Sequence, residues 1–374
     1  MSHLSSPLVP ALAGAGAAAD PAVTHAPVAP PAVTHSAVAD PDVRPRRRAL
    51  PVWWTGVLAA SAWALFGLLT WRLPNVELGF NEWTFTTELG VAALLLAATL
   101  LWLAATLPAL AGVWARAARV QAGLRHASPW LTVLPLLLAA WELLTAKLAW
   151  LPAPFFAPPQ SLIEVYSSDY ARLIECAGHS LLLLSTGVAV GALAGFLTGV
   201  WIGWSRSAGY WIHPVLRFLG PIPSTALLPM AFFLAPSSWS AAAFLIALAT
   251  GFPVTVLTWS GVASVNKQYY DVARTLGASA WFLVWRVAVP AALPQVFVGL
   301  FMGLGASFSV LVAAEMMGVK AGLGWYLTWA QGWASYTNMF AALFVMAALF
   351  SGVITALFAV RDRALAWQKG TLQW

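Results

Sequence analysis

Two carboxylates and an amine stand in stretches where charge is costly. Glu315 lies near the end of a long apolar run. A charged side chain at mid-membrane costs about 2.5–3.5 kcal/mol on insertion scales. Three roles are open to it: a gating or structural hydrogen bond, direct contact with a transported solute, or an interfacial position without special duty. Glu142 and Lys147 share another apolar run, five residues apart. That spacing suits an α-helical pair poorly, so the expectation is that each long side chain reaches toward the membrane surface. Other reactive groups form no set. The six histidines make no HxxH or HExxH pair, and one cysteine, Cys176, excludes a disulfide framework or a Cys-rich metal site. Ser307 or Ser309 beside His179 would be a hydrolytic dyad without any supporting spacing. No G-x-x-x-x-G-K-[ST] phosphate loop is present. No catalytic residue, metal site or resident cofactor is expected.

The elements that must position these residues are apolar helices. Of 374 residues, 60 % are hydrophobic and 9 % charged, against roughly 25 % charged in soluble domains. An ordinary soluble protein is excluded. The fold class expected is all-α, a polytopic helical membrane protein, with eight runs of spanning length. Two fall near Val52–Trp71 and Leu89–Trp114. Six follow near Leu131–Leu151, Ser180–Trp204, Leu216–Ala235, Trp239–Ser260, Leu293–Met317 and Met339–Val360. Trp53, Trp54 and Trp71 are expected at membrane interfaces. Residues 1–48 are rich in Ala, Pro and Val, repeat PAVTH at Pro21–His25 and Pro31–His35, and end in Arg44, Arg46, Arg47 and Arg48. Such a segment cannot build a core and reads as a disordered cytoplasmic tail. The chain thus divides into the tail 1–48, two additional spans in 49–128, and a six-span core in 129–374. With both termini inside, Arg72, Lys147, Arg172 and Lys320 are the exceptions and the other 15 of the 19 Lys and Arg residues fall in cytoplasmic segments. Acids gather in the opposite loops, at Glu77, Glu82 and Glu88, then at Glu164, Asp169 and Glu175. The net charge of +6 follows from this asymmetry and implies no nucleic acid.

Three further patterns stand out. The largest cytoplasmic loop, 261–292, contains a short amphipathic helix. Tyr269, Val272, Ala273 and Leu276 share one face, and Lys267, Asp271 and Arg274 the opposite one. Gly277 is expected to close that helix with positive φ. A second apolar segment, Trp281–Val289, is expected to be interrupted by Pro290. The helix is either an interfacial element lying on the bilayer or a docking element for a soluble partner. Pro221, Pro223 and Pro229 crowd one span, and irregular backbone at membrane depth persists only inside protein or beside a water-filled path. Pro223, Ser224, Thr225 and Pro229 are therefore pathway candidates with Glu315, the alternative being a poorly inserted hairpin arm. Finally, Gly187, Gly191, Gly195, Gly199 and Gly203 form a stripe for close helix approach, within the chain or between two copies.

The order of residues in the loop resembles a known signature. Asp271-Val272-Ala273, three residues, Gly277, nine residues, then Val287-Ala288-Val289-Pro290 is similar to the "EAA" motif of ABC-transporter permeases, E-A-A, three residues, G, nine residues, I-x-L-P. The resemblance runs over about 128–360. It is closest to the permeases of nitrate, sulfonate, taurine and related importers, through Trp141, Leu151-Pro152, Pro158-Pro159, Ser180 with Gly187, Ile222-Pro223, Ala226, Pro229, Ala314-Glu315-Met316 and Gly322-Leu323-Gly324. The resemblance implies a type I importer permease core of MetI-like fold, with two extra spans ahead of it. It implies that the loop couples to a separate ABC ATPase subunit, which binds ATP and Mg. It also implies a periplasmic or lipid-anchored solute-binding protein, a homodimer of this chain, and a place in the bacterial cytoplasmic membrane. The alternative is a secondary transporter driven by an ion gradient; such proteins usually show internal repeats and intramembrane carboxylates. No repeat links the two halves here.

Overall fold

The computed structural model describes residues 53–76, 83–111, 114–220 and 222–367. The tail 1–48 with its arginine cluster, Glu77, Glu82, Pro221, Lys369 and Trp374 lie outside the described residues. Every regular element among those described is helical. Helices α1 (Trp54–Arg72) and α2 (Thr86–Ala111) form a hairpin, and α3 (Ala115–Glu142) packs along both. Small residues make this bundle tight. Ala59, Ala60, Ala93, Ala97 and Ala104 are buried between larger groups such as Phe66 and Leu100. Trp53, expected at an interface, is instead buried against Ala104, Leu107, Ala117 and Leu124, while Trp54 and Trp71 are exposed. Helix α3 starts well before the expected span. Ala117, Gln121, Leu124 and Ser128, spaced four, three and four, turn one stripe toward the hairpin. The boundary at 128/129 therefore falls inside a continuous helix.

Beyond α3 come α4 (Pro159–Ser168), α5 (Tyr170–Trp204), α6 (Arg206–Leu219), α7 (Leu228–Leu234) and α8 (Ser238–Ala263). They are followed by α9 (Lys267–Thr275), the short α10 (Ala280–Phe282), α11 (Val289–Met317), α12 (Leu323–Gly332) and α13 (Tyr336–Ala364). The centre of this part is the α5–α8 contact. A methyl group at Gly187 would meet Ile246, at Gly191 Ala247, at Gly195 Gly251, at Gly199 Thr258 and at Gly203 Val262. The stripe thus serves packing within the chain. Both series of numbers rise together, so α5 and α8 are parallel. Helix α11 runs the other way, since Gly261 faces Ala292, Gly299 faces Val254 and Gly303 faces Thr250.

The parallel pair dictates what lies between its members. The chain leaves α5 on one side of the membrane and enters α8 on the other, so residues 205–237 must return across it. They do so as a broken span. Helix α6 and the segment Ser224–Leu234 meet at 83°, around Ile222-Pro223, where proline removes a backbone donor and disfavours helix in the residue before it. The proline-crowded run expected over Leu216–Ala235 is thus two helices and a bend, and it begins earlier than expected, at Arg206. Among the described residues seven helices are long and apolar enough to span, and the bent pair, taken as one span, brings the crossings to eight.

Two other expectations are corrected by π turns. Pro290 does not interrupt its segment, because the chain passes from α10 through a π turn, Leu283–Ala288, directly into α11. There the Val289 N–H bonds back five residues to Val284 O, and the widened turn accommodates the proline ring. Glu142 and Lys147 do not reach for the surface either. Helix α3 ends in a π turn over Leu143–Lys147, with Leu148 N–H bonded to Leu143 O at 2.8 Å. Positions five apart then return to one face. Lys147 Nζ lies 3.6 Å from Glu142 Oε1, with both side chains buried.

The glycine contact yields a direct test. Gly195→Leu should wedge α5 from α8 and cost about 1–3 kcal/mol of packing energy. Gly123, on α3, has no atom near its absent Cβ, so Gly123→Leu should be neutral. Thermal unfolding of the two purified variants should show a lowered midpoint for the first alone.

Candidate functional site

Three groups of residues carry the candidate chemistry, and they lie at different levels of the bundle. The first is the loop between α8 and α11. Helix α9 is fixed at both ends by its own sequence. Asn266 Oδ1 accepts from Gln268 N–H at 3.0 Å at the start. At the end Gly277 N–H donates to Arg274 O at 2.9 Å and Ala278 N–H to Ala273 O at 3.1 Å. This is the Schellman arrangement, and Gly277 has φ +82° as it requires. Ser279 Oγ then accepts from Phe282 N–H at 3.3 Å and starts α10.

The faces of α9 divide cleanly. Tyr269, Val272 and Leu276 are 65, 62 and 83 % exposed, and Asp271 and Arg274 form a loose, exposed pair at 3.8 Å. The one large residue that holds α9 to the spans is Tyr270, packed edge-on against Trp204 and beside Val200, Val262 and Val284. Burial raises its phenol pKa above the ordinary value. Tyr270 was not singled out from the sequence. Its signal was there: it points away from the Val272–Leu276 face and toward the end of α8.

The second group surrounds the broken span. A cleft of about 520 Å³ is bordered by α5, the bend between α6 and α7, α8 and Ala306 of α11. Pro223 and Ser224 line it; Thr225, Pro229 and Glu315 do not. Its polar wall includes Thr198 and Thr255, whose hydroxyls lie 3.0 Å apart. Thr198 sits between Gly195 and Gly199, so the same stripe that admits α8 carries a hydroxyl to the cleft. Phe244, Phe252 and Leu227 make most of the remainder apolar.

The third group explains Glu315. It is 2 % exposed. Its Oε1 accepts from Ser180 Oγ at 2.7 Å, and its Oε2 accepts from Gly324 N–H at 2.8 Å. Ser180 Oγ accepts in turn from Leu323 N–H at 2.8 Å. A carboxylate thus closes the first turn of α12, where free N–H groups favour negative charge. Gly322, with φ +98°, and Gly324 leave room for it, since a methyl group on either would run into the Glu315 side chain. Of the three roles open to Glu315, the geometry matches the structural hydrogen bond. Tyr326 Oη donates to Asp169 Oδ2 at 2.6 Å, and the Arg172 guanidinium lies 4.7 Å over Trp329. Helix α12 is therefore held from α5 as well as α11. Among the described residues no group of His, Cys, Asp and Glu is arranged to hold a metal ion.

A broken span, a capped loop helix between two spans and a carboxylate-latched helix ahead of the last span belong to a polytopic helical membrane protein. The family model for binding-protein-dependent transport system inner membrane components matches residues 187–366. A probable ABC transporter permease protein of Brucella abortus is 30 % identical over 233 residues, which cover 62 % of this chain and 92 % of that one. The bicarbonate transport system permease protein CmpB of Synechococcus elongatus is 30 % identical over 189 residues, 50 % of this chain and 65 % of the relative. The nitrate import permease protein NrtB of the same organism is 26 % identical over 252 residues, 64 % and 87 %. The chain belongs to this family of ABC-importer permeases, with the MetI-like fold. It is a multi-pass membrane protein and a transport component.

The latch predicts a graded effect. Glu315→Leu strands the Ser180 hydroxyl and the Gly324 N–H, at about 1–3 kcal/mol for each buried group left unpaired. Glu315→Gln keeps an acceptor but loses the charge at the helix end, about 0.3–1 kcal/mol. Thermal midpoints in detergent should fall in the order wild type, Glu315→Gln, Glu315→Leu.

Proposed function

We propose that this chain is the membrane subunit of an importer that takes up a small anionic solute, and that α9 is its coupling helix. The observation that carries the reading is the loop geometry. A helix rigidly capped at Asn266 and Gly277 presents Tyr269, Val272 and Leu276 outward, with Ala273 beside them, while Tyr270 and the π turn before Pro290 tie it to the spans. Such a part transmits motion: whatever grips the exposed face moves α8 and α11 as bodies. A cleft in a separate ATPase subunit, which would bind ATP and Mg, suits that face. Asp271 and Arg274 then lie at its polar border.

Two copies would assemble so that their broken spans flank one route, with Pro223 and Ser224 along it and Thr225 and Pro229 behind. A solute-binding protein would deliver the cargo on the opposite side. The relatives named for bicarbonate and nitrate support a compact anion, and the hydroxyls of Thr198, Ser224 and Thr255 would offer neutral donors along the way. Loop 261–292 and both termini are assigned to the cytoplasm of a bacterial cell from the distribution of Lys and Arg.

The test separates binding from insertion. Gly277→Val forces a β-branched residue into positive φ, which L-residues other than glycine resist by roughly 1–2 kcal/mol. Gly277→Asn, which tolerates that conformation, should behave as wild type. Both should insert normally, and a reporter at Asn266 should give the cytoplasmic signal. Gly277→Val should lose capture of the ATPase subunit by about tenfold and lose ATP-driven uptake with it. Asp271→Lys should weaken capture without moving the loop. Full capture and uptake by Gly277→Val and Asp271→Lys would make α9 an interfacial helix only.

A further inference from the structure

The Glu142–Lys147 pair has partners that the importer core alone does not supply. Lys147 Nζ donates to Thr70 O at 2.9 Å, to Leu73 O at 2.7 Å and to Asn75 Oδ1 at 2.6 Å. Thr70 and Leu73 lie at the carboxyl end of α1, where the last carbonyls of a helix lack partners and attract a cation. Asn75 is itself tied to the start of α2, its Nδ2 donating to Thr86 Oγ1 at 2.9 Å. The backbone closes the same junction, with Val76 N–H donating to Ala146 O at 2.9 Å. On the other side of the pair Gln160, from α4, lies beside the Glu142 carboxylate. Glu142 and Gln160 are 0 and 1 % exposed, and their side-chain oxygens and amide close no hydrogen bond of their own.

We infer that Lys147, held by Glu142, is a docking site for the N-terminal hairpin, reading the carboxyl end of α1 through its free carbonyls. Three observations converge on it. The match to the Brucella relative takes up 62 % of this chain but 92 % of that one. The family model, matched over residues 187–366, does not include the hairpin or the pair. The π turn over Leu143–Lys147 is what brings the ammonium onto the Glu142 face, so the backbone is shaped for the pair. A lysine buried at this depth without those acceptors would lose most of its compensation, whereas with them its charge is shared between a carboxylate and a helix end. The hairpin is thus a fixed part of the transporter, fastened at the carboxyl end of α1.

The experiment uses the full chain in lipid nanodiscs and reads hydrogen exchange at single amides. In Lys147→Met the Val76 amide, protected by Ala146 O in the native chain, should exchange at least tenfold faster, with the amides of α8 unchanged. Because Lys147→Met leaves Glu142 buried and unpaired, Glu142→Leu with Lys147→Met is the second variant. It should recover the yield and thermal midpoint of the native chain while Val76 stays deprotected. Val76 protection at the native level in the double variant would overturn the inference. So would loss of α8 protection in both variants, since the pair would then serve the core's own stability and not the hairpin.

Discussion

The close parallel contact of α5 with α8 is the constraint on which the rest of the structure depends. Five glycines at four-residue spacing bring two backbones together, and without side chains between them the helices lie side by side over most of their length. Two parallel neighbours in sequence order require a return crossing in the 33 residues between them. That crossing cannot be a plain helix if it is also to leave a space beside the pair. The prolines at the bend resolve the conflict, and the cleft lies where the bend faces the stripe. The route proposed for solute, the hydroxyl pair of Thr198 and Thr255, and the seat of α11 on α8 through Gly299 and Gly303 all derive from one packing decision.

Buried charge follows one rule at both of its sites. Each carboxylate at membrane depth is matched to a helix end, Glu315 directly to the amino end of α12 and Glu142 through Lys147 to the carboxyl end of α1. Helix termini carry the backbone groups that no helix can satisfy by itself. In a solvent of hydrocarbon they are the natural partners for the few charges the sequence contains. Helices α1 and α12 are both positioned in this way.

The spans were legible because hydropathy and length suffice for them, and the bounds of α8 and α13 lie near the expected runs, while α5 ends at Trp204 as expected but starts ten residues earlier, at Tyr170. The loop helix and Gly277 were legible because a cap is local chemistry. What escaped was long-range or irregular. A π turn has no composition of its own, so the pairing of Glu142 with Lys147 and the passage of the chain through Pro290 could not be read from α-helical spacing. Tyr270 looked like one more aromatic residue because its partners, Trp204 and Val284, lie 66 and 14 residues away. The Gly322-Leu323-Gly324 turn was noticed by resemblance, yet its reason, room for the Glu315 carboxylate, required the fold.

The central claim is that α9 offers its Val272–Leu276 face to an ATPase while Tyr270 faces inward. A photoreactive phenylalanine analogue placed at Leu276, and separately at Tyr270, tests it in membranes containing the assembled transporter. The account predicts a cross-link to the ATPase subunit from position 276 and cross-links only within this chain from position 270. Cross-linking of position 276 to lipid alone, or equal ATPase adducts from both positions, would contradict it.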